Sequence, residues 1–138
     1  MKLNNSANIR MRPLSGLQPS QLFINREKLE ELQSSIDFNQ PENIPKIPIK
    51  CLDGEWVMTD GHTRAYAASL AGLELIPTVR DEDELDWEAY RICVDWCKKA
   101  GITQISGLKG RVIDPDAYDQ LWLARCKRMQ DRLELKRQ

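Results

Sequence analysis

The segment between residues 47 and 80 constrains the fold of this chain more than any other. Two short extended runs, IPIKCL and EWVMT, flank Asp53-Gly54. This dipeptide is a strong signal of a tight hairpin because both turn positions need positive φ. An alanine-rich stretch over residues 65–71 then favours a helix, Gly72 supplies its C-terminal stop, and LIPTVR is extended. The pattern predicts strand, turn, strand, helix and strand in one unit.

A further helix is predicted before this unit. Asn25 can cap a helix that ends near Asp37 and carries apolar residues at helical spacing, namely Leu29, Leu32 and Ile36. The prolines of the following run, FNQPENIPKIP, exclude helix there. Residues 9–17 are broken by proline and glycine and predict a short edge strand and a turn, whereas residues 1–8 predict a frayed polar tail.

An acidic run opens the second half of the chain, with six carboxylates in the eight positions 81–88. Acidic residues at the start of a helix complement its dipole, so we interpret the run as the start of a helix from about Asp86 to Ala100 rather than as a metal site. Asp114-Pro115 predicts the start of a last helix. We expect these two helices to pack through their tryptophans, Trp87, Trp96 and Trp122.

Composition narrows the class of protein. The 138 residues are 41% hydrophobic and carry a net charge of -1, which fits one folded domain and lacks the basic excess of indiscriminate nucleic-acid binders. No window approaches the ~18 to 20 apolar residues of a membrane span, and the N-terminus has no apolar signal core. We therefore expect a cytoplasmic protein without a membrane partner. The cysteines are expected to be reduced and buried rather than metal ligands, namely Cys51, Cys93, Cys97 and Cys126.

The motif DGHTR, residues 60–64, is the strongest candidate for chemistry and contains the only histidine. It lies at a predicted strand-to-helix junction, where free amides and the helix dipole favour an anion. Gly61 would let a ligand approach the backbone, and Arg64 can fork onto phosphate oxygens. His62 and Thr63 could donate hydrogen bonds to the ligand from the side. The residue types alone leave an equal alternative open, in which Asp60 caps the helix and Arg64 pairs with the acidic run.

The order of these motifs resembles a known family. Six features follow one another along the chain. They are a "Leu, two residues, Ser-Ile" helix, a Pro-Ile strand, a hairpin, a "Gly, two residues, Arg" turn, an "Ala-Gly-Leu" helix end and an Ile-Pro strand. The residues are Leu32, Ser35, Ile36, Pro48, Ile49, Gly61, Arg64, Ala71, Gly72, Leu73, Ile76 and Pro77. This order resembles the N-terminal domain of ParB and the wider ParB/sulfiredoxin-like superfamily, over roughly residues 9–80.

The resemblance implies a fold and a ligand. The fold would be α+β, with a small mixed sheet flanked by helices over residues 1–80 and a helical extension over residues 81–138 packed on it as one cooperative domain. Family members bind CTP, ATP or ADP at the turn, so the implied cofactor is a nucleoside di- or triphosphate with Mg²⁺. Phosphates would lie against Gly61, His62, Thr63 and Arg64. Asp60 would hold Mg²⁺ or a substrate hydroxyl, and the candidate catalytic residues are Asp60 and His62.

The chain departs from three patterns within that superfamily. His62 stands where sulfiredoxins carry their catalytic cysteine, so thiol chemistry has no nucleophile. Gln21 stands where the free-serine kinases carry a catalytic glutamate, and an amide cannot take a proton from a hydroxyl. Ala65 stands where chromosome-partitioning ParB proteins have a second arginine. Whether binding drives phosphoryl transfer or hydrolysis, or only a conformational switch, stays open.

The C-terminal residues 125–138 suggest an alternative function. They contain six basic and two acidic residues on a predicted helix. A solvated helix end is the simpler interpretation, because helix C-termini favour cations. The alternative is a DNA-associated ParB-like factor that contacts DNA through this helix. The oligomeric state is not indicated by the sequence.

Overall fold

A computed structural model describes residues 9–138, in which short strands and helices alternate. The strands are β1 (Arg10–Pro13), β2 (Ile24–Asn25), β3 (Ile47–Leu52), β4 (Glu55–Met58), β5 (Leu75–Arg80) and β6 (Val112–Ile113). The helices are α1 (Arg26–Ser35), α2 (His62–Leu70), α3 (Trp87–Lys99), α4 (Pro115–Tyr118) and α5 (Ala124–Lys136), and a π-helical turn, Asp119–Leu123, joins the last two. The frayed tail expected over residues 1–8 lies outside the described residues.

A four-stranded mixed sheet organises the fold. Its strand order is β1-β5-β3-β4, with β3 and β5 parallel and the other two pairs antiparallel. The turn between β3 and β4 has positive φ at Asp53 (52°) and Gly54 (83°), as its sequence predicts. A second, two-stranded parallel sheet pairs β2 with β6. The α+β architecture expected from the sequence is confirmed.

The predicted helix starts are capped by side chains. The carboxyl or amide oxygens of Asn25, Asp86 and Asp114 each accept a backbone N–H from the first turn of α1, α3 or α4, at 2.9–3.1 Å. Such caps satisfy amides that otherwise have no partner in the helix. The acidic run therefore starts a helix, and among residues 9–138 no group of three His, Cys, Asp or Glu residues is placed to hold a metal.

The core is shared by the sheet, α2 and the C-terminal helices. Trp122 in the π-helical turn is 6% exposed and belongs to the same apolar cluster as the sheet residues Ile47 and Ile76. Trp96 of α3 meets Trp122 edge to face, with ring centroids 6.1 Å apart. Trp87 does not join that pair and instead lies beside Tyr90 and under the ammonium group of Lys50, its other close partner.

Two cysteines differ from expectation. Cys93 and Cys97 are buried, as predicted, but Cys51 is exposed and Cys126 is half-buried, and all four are free thiols. Cys51 is exposed because the hairpin extends past β5, whose last partner in β3 is Ile49. Within residues 9–138, none of the helices has the length and apolar character needed to cross a bilayer.

Candidate functional site

The DGHTR turn joins β4 to α2 through a left-handed glycine. Gly61 has φ 76° and is the N-cap of α2, whose first hydrogen bond runs from the Ala65 amide to the Gly61 carbonyl. A Cβ at this position would lie 2.8 Å from Cδ1 of Ile47 and 2.9 Å from Nη2 of Arg64. Glycine is therefore required both by the backbone conformation and by the close approach of the Arg64 guanidinium.

The first amides of α2 are unsatisfied. No group within residues 9–138 accepts from the backbone N–H of His62, Thr63 or Arg64, and no side chain caps the helix. Asp60 does not cap it, because its Oδ1 accepts instead from the N–H of Gly61 at 2.8 Å. The turn therefore presents three donors at the positive end of a helix dipole.

Arg64 stays on the turn rather than reaching the acidic run. Its Nη1 donates to the carbonyl oxygen of Lys46 at 3.1 Å. The Asp81 carboxylate is engaged elsewhere, accepting from Oγ1 of Thr59 at 2.6 Å and from the amide of Asp83 at 3.0 Å. The structural alternative in which Arg64 pairs with the segment starting at Asp81 is therefore wrong. Most of the guanidinium donors remain available to a ligand.

His62 is buried beneath the turn. Its Nε2 accepts the backbone N–H of Ser20 at 2.9 Å, and its Nδ1 has no partner among the described residues. Burial lowers the pKa of His62 to about 4, an effect that the nearby Asp60 carboxylate partly opposes. The imidazole is therefore neutral at pH 7, and because Nε2 accepts, the proton resides on Nδ1.

The turn opens into a cleft of about 530 Å³. All five DGHTR residues line it, so the structure brings the predicted site residues together. Sequence reasoning did not identify the other walls of the cleft, which are formed by Lys28, Glu31 and Leu32 of α1 and by Tyr118 and Leu123 near the π-helical turn. The helical spacing of α1 was visible in the sequence, but which of its faces meets the turn depends on packing.

Gln21 links the N-terminal loop to the C-terminal helices across this cleft. Its Nε2 donates to the hydroxyl of Tyr118 at 3.0 Å and to the carbonyl oxygen of Phe23 at 2.8 Å. Burial raises the pKa of Tyr118 to about 12, so its hydroxyl is protonated at neutral pH. Gln21, which has an amide where the free-serine kinases carry a catalytic glutamate, thus has a structural role at the edge of the cleft.

Most of the basic side chains of the C-terminal segment already form ion pairs or a cation–π contact. Arg137 pairs with Asp86 and Glu88, both at 2.9 Å, and the Arg125 guanidinium lies 4.2 Å from the centroid of the Trp96 ring. Two lysines also form ion pairs, Lys127 with Asp131 and Lys136 with Glu88. Within the described part of the chain, Arg128 and Arg132 are the basic side chains of this segment without such a contact.

The sequence matches no protein-family model and no curated protein. Among solved structures, C-terminally truncated SbnI from Staphylococcus aureus superposes with a TM-score of 0.50 and 18% identity, covering 60% of this chain and 34% of that one. Atu1540 from Agrobacterium tumefaciens gives 0.48 and 17%, covering 78% and 62%. C-terminally truncated ParB from Caulobacter crescentus, complexed with CTP-gamma-S, gives 0.45 and 22%, covering 70% and 54%.

The chain has a fold similar to that of C-terminally truncated SbnI, with a small mixed sheet flanked by helices. The likeness concerns the fold alone, and the chain spans between about a third and three fifths of the length of these structures. The arrangement expected from the ordered sequence motifs is therefore confirmed. In this fold the DGHTR turn connects strand β4 of the sheet to the N-terminus of α2.

Proposed function

We propose that the cleft binds a nucleoside di- or triphosphate with its phosphates at the N-terminus of α2. The observation that carries this proposal is the set of three unsatisfied amides, at His62, Thr63 and Arg64, beside a left-handed glycine that lines the same cleft. Backbone amides at a helix N-terminus are suited to phosphate because they point at the ligand and the dipole favours negative charge.

Side chains around the turn add to this anion site. Arg64 lies against Gly61 and keeps donors for phosphate oxygens, and Lys28 brings a second cation to the cleft. Thr63 contributes a hydroxyl at the rim. The Nδ1–H of His62 is a buried donor without a partner among the described residues, and a phosphate oxygen would satisfy it.

Magnesium would enter with the nucleotide. Two carboxylates line the cleft, those of Asp60 and Glu31, which is too few for a preformed metal site. Mg²⁺ is commonly held by one or two carboxylates together with substrate phosphates. Asp60 is the better placed ligand because it adjoins the phosphate-binding amides, with its Oδ1 on the Gly61 amide.

Catalysis is a further step within this proposal. Asp60 would serve as metal ligand or as the base that accepts a proton from an attacking hydroxyl or water. His62 would act as a neutral hydrogen-bond donor, since its Nε2 is occupied by Ser20. Release of inorganic phosphate from a bound nucleotide, dependent on Mg²⁺ and abolished by Asp60→Asn, would support an enzyme. Binding without release would support a nucleotide-dependent switch.

A thermal-shift panel tests binding. Nucleoside di- and triphosphates, with and without Mg²⁺, should raise the Tm of the full chain by several degrees at concentrations well above Kd, since a ligand that binds only the folded state stabilises it. A matched panel of the free nucleosides should have little effect. Absence of any shift with every phosphorylated compound would refute the proposal.

DNA contact through α5 is the second candidate. It rests on Arg128 and Arg132, which have no acidic partner among the described residues. DNA affinity should then fall steeply as salt rises and should weaken in Arg128→Ala and Arg132→Ala. Nucleotide binding should be unchanged in both variants.

A further inference from the structure

The C-terminal helix changes its geometry where it borders the cleft. In the π-helical turn Asp119–Leu123 the amide of Ala124 bonds to the carbonyl oxygen of Asp119, five residues earlier. In an α-helix, residues five apart diverge by about 140° around the axis. A π-helical turn brings such residues close to one face. Tyr118 and Leu123 are five apart, and both line the cleft.

Leu123 gives the cleft an apolar surface. Its side chain is 50% exposed although its neighbour Trp122 is 6% exposed and packs against Trp96. The buried Trp122 side chain anchors the turn in the core, and the adjacent Leu123 lines the cleft. Leu32 of α1 is a second apolar residue of the same cleft. The cleft therefore combines an anion-binding turn with apolar side chains, as a site for an amphipathic ligand does.

Tyr118 provides a directed polar group next to these leucines. Its oxygen accepts from Gln21 at 3.0 Å, and no group within residues 9–138 accepts its hydroxyl proton. The raised pKa of this phenol keeps that proton in place at neutral pH. A ligand in the cleft can therefore receive one hydrogen bond from Tyr118.

We infer that the π-helical turn forms the nucleoside-binding part of the cleft, with Leu123 and Leu32 packing against the base and Tyr118 donating to a base or sugar acceptor. This inference rests on the proposed function, which supplies the phosphates that anchor the ligand at the DGHTR turn. It assigns the C-terminal helices a direct part in binding. The π-helical geometry is then a functional feature, because a regular helix would turn either Tyr118 or Leu123 away from the ligand.

Leu121 offers a matched control. Leu121 and Leu123 lie in the same turn and are each 50% exposed, but Leu121 does not line the cleft. The test is isothermal titration of the full chain and of Leu123→Ala, Leu121→Ala and Tyr118→Phe, with a nucleoside triphosphate and with inorganic tripolyphosphate. The tripolyphosphate carries the anionic groups without base or sugar.

The expected result separates the two ligands. Leu123→Ala should weaken the nucleoside triphosphate about tenfold and Tyr118→Phe about fivefold, because each removes a contact to the nucleoside. Both variants should bind tripolyphosphate as the parent does, and Leu121→Ala should bind both ligands normally. Melting curves should stay close to the parent for the two leucine variants, whose side chains are half exposed.

Two outcomes would overturn the inference. If tripolyphosphate binds, but Leu123→Ala and Tyr118→Phe leave nucleotide affinity unchanged or Leu121→Ala weakens it equally, the turn does not hold the nucleoside, and the phosphate site stands. If neither ligand binds the parent protein, the proposed function fails, and the inference fails with it.

Discussion

The backbone amide of Ser20 donates a 2.9 Å hydrogen bond to Nε2 of His62, across 42 positions of sequence. The Ser20 hydroxyl also donates to the carbonyl oxygen of Met58, at 2.6 Å. These two bonds fix the N-terminal loop beneath the DGHTR turn. The bond from the Ser20 amide also determines the tautomer of the imidazole, so the only histidine of the chain is a neutral group with its proton on Nδ1.

Stability should fall as the pH drops below about 6.5. The pKa of His62 is about 4 in the folded protein against 6.5 for the unperturbed group. The unfolded chain therefore binds the proton more readily, so the stabilisation is complete above pH 6.5 and is lost progressively toward pH 4. Urea unfolding should show a decrease of about 2 kcal/mol in the free energy of unfolding between pH 7 and pH 5.

The control for this pH effect is His62→Gln, which removes the titrating group and retains a side chain able to accept from Ser20. Its stability should be nearly constant over the same range. Asp86 and Glu88 do not confound the test, because hydrogen bonds from Arg137 hold the pKa of each carboxyl below its ordinary value. A parent protein whose stability does not change between pH 7 and pH 5 would show that His62 is not buried and neutral.

Gly61→Ala should destabilise the protein more than Gly54→Ala. Both glycines have φ near 80°, but a Cβ at Gly54 meets nothing within 4 Å, whereas one at Gly61 lies 2.8 Å from the buried Ile47. Gly54→Ala should cost about 1 to 2 kcal/mol from the left-handed backbone alone. Gly61→Ala should cost at least about 1 kcal/mol more from overpacking, as measured by urea unfolding. Equal costs would mean that the turn has room for a side chain.

Local signals explain why much of the fold could be predicted. Asp53-Gly54 defines the hairpin by its own backbone preference, and Asn25, Asp86 and Asp114 start helices through bonds to amides two or three residues on. The resemblance to a known fold family rested on several such signals in a fixed order. Interactions of this range are encoded in neighbouring residues and can be read without knowing the packing.

The features that could not be predicted depend on distant contacts. DQLWL is compatible with an ordinary helix, and its π-helical geometry accompanies the packing of Trp122 on Trp96. The Ser20 partner of His62 and the Lys46 partner of Arg64 lie 42 and 18 positions away. The strand pattern of the sequence predicts that Cys51 is buried. It is exposed because it lies where the hairpin projects beyond the neighbouring strand β5.

Arg64→Ala should weaken nucleotide binding by roughly ten- to a hundredfold, because it removes a charge-assisted contact of about 1.5 to 3 kcal/mol. The free energy of unfolding without ligand should change by less than about 1 kcal/mol, since Arg64 makes one hydrogen bond to a backbone carbonyl. Arg132→Ala is the control for loss of charge on an exposed helix. Unchanged affinity with a large loss of stability in Arg64→Ala would make Arg64 a structural residue.

We propose that residues 1–80 and 81–138 unfold as one cooperative domain, because Trp122, Met129 and Leu133 share an apolar cluster with the sheet. The test uses two variants, one that retains only Trp56 of β4 and one that retains only Trp122. In each variant the tryptophan fluorescence and the circular dichroism should change at the same urea midpoint. Separate transitions by the two probes would show that the extension is an independent unit.

An NMR titration of the ¹⁵N-labelled chain with inorganic tripolyphosphate shows whether the first amides of α2 hold phosphate. We expect saturable shifts that are largest at the backbone amides of His62, Thr63 and Arg64 and that are reduced in Arg64→Ala. Shifts that leave these three amides unaffected, or that are confined to the basic residues of α5, would contradict it.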